Sequence, residues 1–303
     1  MINSVKPNLI VSDSRGAWFR ATILFILALI GTVGMWSVVV FIPDIEKEFG
    51  LDRGTSSLLY AFTMIGFGFG TVVIGKVYDK FGIKKPILLA TFVLITSYYF
   101  YSIFPFYWQF LILQFFMGFA ASAFFGPAMA DISNFFNKQR GFALSIVASA
   151  NYVAGATWPL LIGYFLTFID WRAAHFWISI CLFIMIPLIL LLKNASVDES
   201  KSHDMKQRYK DIRLDLSNNQ IQVLLMLAGI CCCVAMAMPQ VHMVALCVDN
   251  GFGLQVGTEI LAVMLYSGMI SRIVFGMISD RIGPVLTLLL GSFLQMVSLT
   301  FFL

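Results

Sequence analysis

The chain has 303 residues, 59% hydrophobic and 12% charged, with a mean hydropathy of +0.87 and a net charge of +4. That composition excludes a soluble globular domain and places the protein in a bilayer. The small positive charge excludes a nucleic-acid binder as well, because no basic segment is interleaved with aromatics in a way that would stack bases.

Nine apolar runs are long enough, or nearly so, to cross a hydrocarbon core of ~30 Å: 18–42, 55–75, 86–104, 108–130, 141–166, 173–192, 220–247, 258–278 and 285–303. The fold class read from them is an all-α polytopic membrane protein. Residues 1–17 are mostly polar, and the run that follows is longer than a signal-peptide core, so it reads as a first membrane helix. With the N-terminus in the cytoplasm, sixteen basic residues fall on the cytoplasmic side and only Lys47, Arg53 and Arg172 on the other. This is the positive-inside pattern, and it sets the expected topology.

Taken in order, span 1 is expected to end at Pro43-Asp44, before an acidic external loop with Glu46, Glu48 and Asp52. Span 2 contains Gly66-Phe-Gly-Phe-Gly70, a small-residue spacing that permits close helix contact. It runs out into Gly75-Lys-Val-Tyr-Asp79-Lys-Phe-Gly82-Ile-Lys84-Lys85. Span 4 carries Gln114 and a strip of small residues. Span 5 places Asn151, Gly155, Pro159 and Gly163 at steps of four on one face, with Trp158 beside them. Asp131 and Glu259 sit near span ends, where solvation or a helix dipole is the expected partner. The cysteines Cys181, Cys231, Cys232, Cys233 and Cys247 all fall within spans, so no secreted disulfide framework is implied.

Span 7 contributes His242 near its outer end, a residue able to relay a proton or bind a substrate. Span 8 carries Arg272, the one basic residue read as lying deep within a span; it begins about 12 Å from the cytoplasmic turn. A charge there costs roughly 2.5–3.5 kcal/mol unless a cavity or partner receives it. A guanidinium also presents a planar fork that suits a carboxylate. Tyr266 lies nearby in sequence. The run closes with Gly276-x-x-x-Asp280-Arg281-x-Gly283. Thr71, Gly75, Asp79 and Gly82 overlay Arg272, Gly276, Asp280 and Gly283 at a constant offset of 201 residues, so the chain contains two related halves. Gly82 and Gly283 suit turns that need positive φ, and the two aspartates are expected to meet cations or a helix N-terminus across the halves as gating elements.

The Gly-x-x-x-Asp-x-x-Gly-x-Lys-Lys turn after span 2, echoed after span 8, resembles the signature loop of the major facilitator superfamily. Phe135-Phe136-Asn-Lys-Gln-Arg140-Gly141-Phe-Ala143, Asp170-Trp171-Arg172 and Arg272-x-x-x-Gly276 resemble its oxalate/formate antiporter and monocarboxylate transporter branch. The resemblance implies twelve helices as six plus six, alternating access, and substrate-carboxylate recognition by Arg272. It divides the chain into a cytoplasmic segment 1–17, a six-helix half 18–192, a linker 193–219 and an incomplete second half 220–303; nine of twelve helices and a C-terminal truncation are expected.

Two departures stand out. Proton-coupled relatives place an aspartate where this chain has Gly268, and a lysine in a first span that here holds no charge over Ala21–Ile42. Proton coupling is therefore not legible. The expected activity is secondary transport of a small organic anion, a mono- or dicarboxylate, by symport with a proton or exchange with a counter-anion. Efflux of another small molecule, or a sensor without flux, is the alternative. The expected site is Arg272, His242, Asn151, Gln114, Trp158 and Tyr266. The gating loops are Gly75, Asp79, Gly82, Lys84 and Lys85, with Gly276, Asp280, Arg281 and Gly283. No enzyme, metal or cofactor motif is present, and the expected location is a cell membrane, the bacterial inner membrane in particular.

Overall fold

A computed structural model describes residues 13–192 and 217–302; most of the linker read at 193–219 lies outside the described residues. Every regular element described is a helix. The first span is two helices, α1 (Arg15–Gly31) and α2 (Val33–Phe49), joined at Thr32, whose hydroxyl bonds back to the Ala28 carbonyl at 2.7 Å. Such back-bonding bends a helix where it would otherwise run straight. The expectation that Pro43-Asp44 ends this span is corrected: α2 runs through Pro43 to Phe49 and stops at Gly50, at φ 61°. Proline removes one helical donor but does not by itself provide the left-handed cap that terminates the chain.

α3 (Arg53–Phe81) starts at Asp52, whose carboxylate accepts from the Gly54 and Thr55 amides at 3.0 and 3.3 Å. Together with the Thr55 hydroxyl, the first cause, these bonds hold the Asp52 carboxyl below its ordinary range. α4 is Lys84–Ile103. The fourth span is α5 (Tyr107–Ala121), a short 3₁₀ turn and α6 (Gly126–Ser133). α7 (Arg140–Phe165) carries Pro159 inside it. The sixth span is α8 (Trp171–Cys181), a 3₁₀ turn and α9 (Met185–Leu191). Then come α10 (Asn218–Asp249), α11 (Gly253–Ile282) and α12 (Pro284–Phe302). Among the described residues, seven segments are long and apolar enough to cross a membrane. The other two of the nine expected spans are helices, α10 and α12, whose described apolar stretches are shorter, Asn219–Cys231 and Pro284–Ser298.

Large apolar side chains face outward along the spans, among them Phe69, Phe92, Leu190 and Val263. This is the inverse of a water-soluble surface and the pattern of lipid-facing helices. Inside, Phe41, Tyr98, Tyr101, Phe110 and His175 form a sealed aromatic cluster between α2, α4, α5 and α8, with His175 stacked 4.3 Å from Tyr101. The Gly66-x-x-x-Gly70 spacing gives the close contact expected of it. A Cβ added at Gly66 would lie 2.0 Å from the Phe115 carbonyl oxygen, and one at Gly118 1.9 Å from that of Thr63, so α3 and α5 touch backbone to backbone.

A second correction concerns charge. Asp131 is neither solvated nor merely dipole-paired, and Arg272 is not alone. Arg20, on α1, is buried and donates through Nε and Nη2 to Asp131 at 2.6 and 2.9 Å. Two buried opposite charges in fork geometry satisfy one another where water is excluded. Arg20, one of the sixteen basic residues counted on the cytoplasmic side, is instead enclosed by Asp131 of α6 and by Phe135, whose ring lies 4.8 Å from the guanidinium.

Candidate functional site at the seam between α7 and α11

α7 and α11 lie antiparallel along their length. As numbering rises on one it falls on the other: Gly141 meets Asp280 and Gly276, Ser145 meets Gly276, Tyr152 meets Gly268, and Gly163 faces Thr258. Small residues make the approach possible. A Cβ on Gly276 would sit 2.3 Å from the Ser145 hydroxyl oxygen, and one on Gly141 2.6 Å from an Asp280 oxygen. The seam joins the first repeat to the second.

At one end of the seam, the Asp280 carboxylate accepts from the Gly141 and Phe142 amides at 2.8 and 2.9 Å. These are among the first amides of α7, without intrahelical acceptors, so a carboxylate there satisfies two orphan donors and the positive helix end together. The helix N-terminus expected for the signature aspartates is thus found for Asp280. Its repeat partner Asp79 is exposed and makes no hydrogen bond or ion pair among the described residues. Both stretches sit on helix rather than in turns: α3 and α11 continue past Gly75 and Gly276 through the polar residues, and only Gly82 (φ 72°) and Gly283 (φ 87°) stop them. Lys85 is exposed over the Phe81 ring at 4.5 Å, Lys84 is half-buried, and Arg281 is exposed.

Arg272 lies midway along the seam and is half-buried. Nη1 donates to the Ala148 carbonyl at 3.0 Å, and the guanidinium carbon stands 4.3 Å from the centre of the Tyr152 ring. No carboxylate pairs with it among the described residues. The rest of its fork is uncommitted there, unlike the fork of Arg20. Neither Ala148 nor Tyr152 was singled out from sequence. A backbone carbonyl carries no sequence signal, and Tyr152 looks like any aromatic in an apolar run.

The other predicted residues divide. Tyr266 is within 3.1 Å of the Thr157 hydroxyl across the same seam, on the side of Arg272 away from Asp280. Asn151 and Trp158 are on α7 but point the other way: Trp36 Nε1 donates to Asn151 Oδ1 at 3.0 Å, and Trp158 Nε1 donates to the Leu29 carbonyl at 2.9 Å. Gln114 is sealed among α3, α4 and α5, accepting from Thr63 at 2.9 Å and donating to the Tyr101 hydroxyl at 3.4 Å. Its amide is committed to holding three helices of one half together. His242 is exposed on α10 and forms no hydrogen bond among the described residues. At the opposite end of the bundle from Asp280, Arg53 bridges Glu46 at 3.0 Å and Asp249 of α10 at 3.3 Å, a contact between the repeats that sequence reading missed.

Lipid-facing helices, an internal repeat and a cation held at the seam between the repeats define a multi-pass membrane protein built on a transporter plan. The family profile of the Major Facilitator Superfamily matches residues 24–303, and the chain belongs to that superfamily. It is similar to the MFS-type transporter pynF of Aspergillus niger, 27% identical over 71% of this chain and 49% of the relative. It is likewise similar to the Agnestins efflux protein AgnL12 of Paecilomyces divaricatus, 24% identical over 80% of this chain and 56% of the relative. A bacterial relative is the inner membrane transport protein YnfM of Escherichia coli, 23% identical over 56% of this chain and 41% of the relative. The chain spans about half the length of these relatives.

Proposed function

We propose that this chain works as a secondary transporter that moves a small organic anion, a mono- or dicarboxylate, by alternating access around the seam between its repeats, with the N-terminus cytoplasmic. The observation that carries the reading is Arg272: a guanidinium inside a span, with no acidic partner among the described residues and a fork only partly used. A cation kept at that depth needs a reason, and a carboxylate received bidentately supplies one. Arg20 supports the contrast, since a purely structural arginine in the same protein is fully paired. The Gly268 position offers no carboxylate to trade protons with Arg272, which favours exchange with a counter-anion over proton symport. Asp280 of α11, bonded to the first amides of α7, would serve as the cytoplasmic latch and Arg53 with Asp249 as the outer one.

A second reading is export of a larger metabolite, favoured by the word efflux in the name of the Paecilomyces relative. The test is uptake of labelled formate, oxalate, lactate and pyruvate into proteoliposomes, wild type beside Arg272→Ala and Arg272→Lys, with and without internal counter-substrate. Saturable flux that Arg272→Ala abolishes and Arg272→Lys only weakens is the expected result. Normal carboxylate flux in Arg272→Ala would make the arginine structural. No flux of any carboxylate by wild type would turn the search to larger export substrates.

A further inference from the structure

The surroundings of Arg272 come from the opposite repeat, and that has a mechanical consequence. Arg272 stands on α11. Both groups that hold it, the Ala148 carbonyl at 3.0 Å and the Tyr152 ring at 4.3 Å, stand on α7. The ring itself is anchored: its hydroxyl donates to Met236 Sδ on α10 at 3.1 Å, and its edge rests against Gly268, where a Cβ would come within 3.1 Å of Cε1. Gly268 lies one helical turn before Arg272 on the same face of α11, so the missing side chain is what lets the ring lie over the guanidinium. An aromatic face attracts a cation without neutralising it, and the attraction strengthens where water is excluded.

We propose that Tyr152 is a positioning residue for Arg272 and the clamp of the empty carrier: its ring and the Ala148 carbonyl occupy the arginine until a substrate carboxylate takes it, so substrate capture and release of the α7–α11 seam are one event. The proposal rests on the reading of Arg272 as the anion ligand. It follows that the empty protein reorients slowly while the loaded one reorients freely, which is the behaviour of an exchanger. Tyr152→Phe keeps the ring face and loses only the bond to Met236. Tyr152→Leu keeps bulk and apolarity but removes the ring.

The experiment has two arms. In the first, hydrogen exchange is followed without any substrate in the α7 segment 145–157 and the α11 segment 266–276, with α5 as an internal reference. Tyr152→Leu should speed exchange in both seam segments by about 2- to 30-fold, the range a cation–π contact can hold. Tyr152→Phe should stay near wild type, and α5 should not change in either. In the second arm, proteoliposomes loaded with labelled carboxylate are diluted into medium with or without the same unlabelled anion. Tyr152→Leu should raise net efflux relative to exchange by a similar factor, and Tyr152→Phe should not. Equal exchange rates in wild type, Phe and Leu variants would overturn the clamp. A difference confined to the first arm, with no carboxylate carried by wild type, would leave the clamp standing and overturn the substrate reading beneath it.

Discussion

Asp280→Ala tests the end of the seam at which α7 begins. The carboxylate accepts two amide hydrogen bonds, at 2.8 and 2.9 Å, from the first turn of α7. Removing a side chain that caps a helix start costs about 0.5–2 kcal/mol, and the negative charge at a helix N-terminus adds about 0.3–1 kcal/mol at an exposed position. Asp280 is exposed, which argues for the lower part of each range. The sum is about 1–2 kcal/mol, or a shift of roughly 5- to 30-fold in the local opening equilibrium of this contact, at tenfold for every 1.4 kcal/mol. Amide exchange at Gly141 and Phe142 reads this directly. Asp280→Ala should accelerate both amides by that factor. Asp280→Asn should give a smaller acceleration, because its one carbonyl oxygen can serve only one of the two donors well. Asp79→Ala is the control, since Asp79 touches no helix end among the described residues and should leave these amides unchanged. Wild-type exchange in Asp280→Ala, or equal acceleration in Asp79→Ala, would refute the reasoning.

Three further outcomes follow from the packing. Breaking the Arg20–Asp131 pair with Arg20→Ala or Asp131→Ala should cost about 3–5 kcal/mol, because each removes the ionic partner of a buried charge. The apolar double variant Arg20→Met/Asp131→Leu should recover most of that loss in a thermal-unfolding assay in detergent. Gly118→Ala should lower the melting temperature, since overpacking costs about 1–3 kcal/mol and the new methyl would meet the Thr63 oxygen at 1.9 Å; Gly68→Ala, with nothing within 4 Å, should be neutral or slightly stabilising. His242→Ala, an exposed residue without hydrogen bonds among the described residues, should move stability by no more than about 0.5 kcal/mol and leave carboxylate flux near wild type.

The features legible in the sequence were those with a short-range physical cause. Gly82 and Gly283 could be placed at positive φ because no other residue stops a helix so readily there, and they adopt φ 72° and 87°. The close contact at Gly66 and Gly70 followed from side-chain size alone. Asp280 at a helix start followed from charge and from the repeat. Pairings made at a distance were not legible. Arg20 looks like a helix-end cation until α6 brings Asp131 over it, and Gln114 looks like a cavity residue until Thr63 and Tyr101 use its amide. Tyr152 gave no sign in its own sequence, although the other half of the contact did: Gly268, four residues before Arg272 on the same helix face, is a gap that leaves room beside the arginine. A span read from hydropathy also ends where polarity begins, whereas a helix ends where its hydrogen bonds do, so α3 outran its predicted end at 75 and reached Phe81.

α7 is the helix on which these features meet, and its two faces do different work. One face is bound into the first repeat: Asn151 and Trp158 bond to the first span, and Gly155 admits the Trp36 ring so closely that a Cβ would lie 2.6 Å from it. The other face carries Gly141, Ser145, Ala148 and Tyr152, each in contact with α11. The first contacts are tryptophan rings and neutral hydrogen bonds that have no alternative partner. The second are close glycine approaches, a helix cap and a cation on a ring, and the last two are polar contacts that water can replace. If the seam opens as proposed, α7 should stay with the first repeat and α11 move away from it. Substitutions on the tryptophan-facing side should lower stability and any flux together, while Tyr152→Leu on the α11-facing side should change the proposed balance between exchange and net flux with a smaller change in melting temperature.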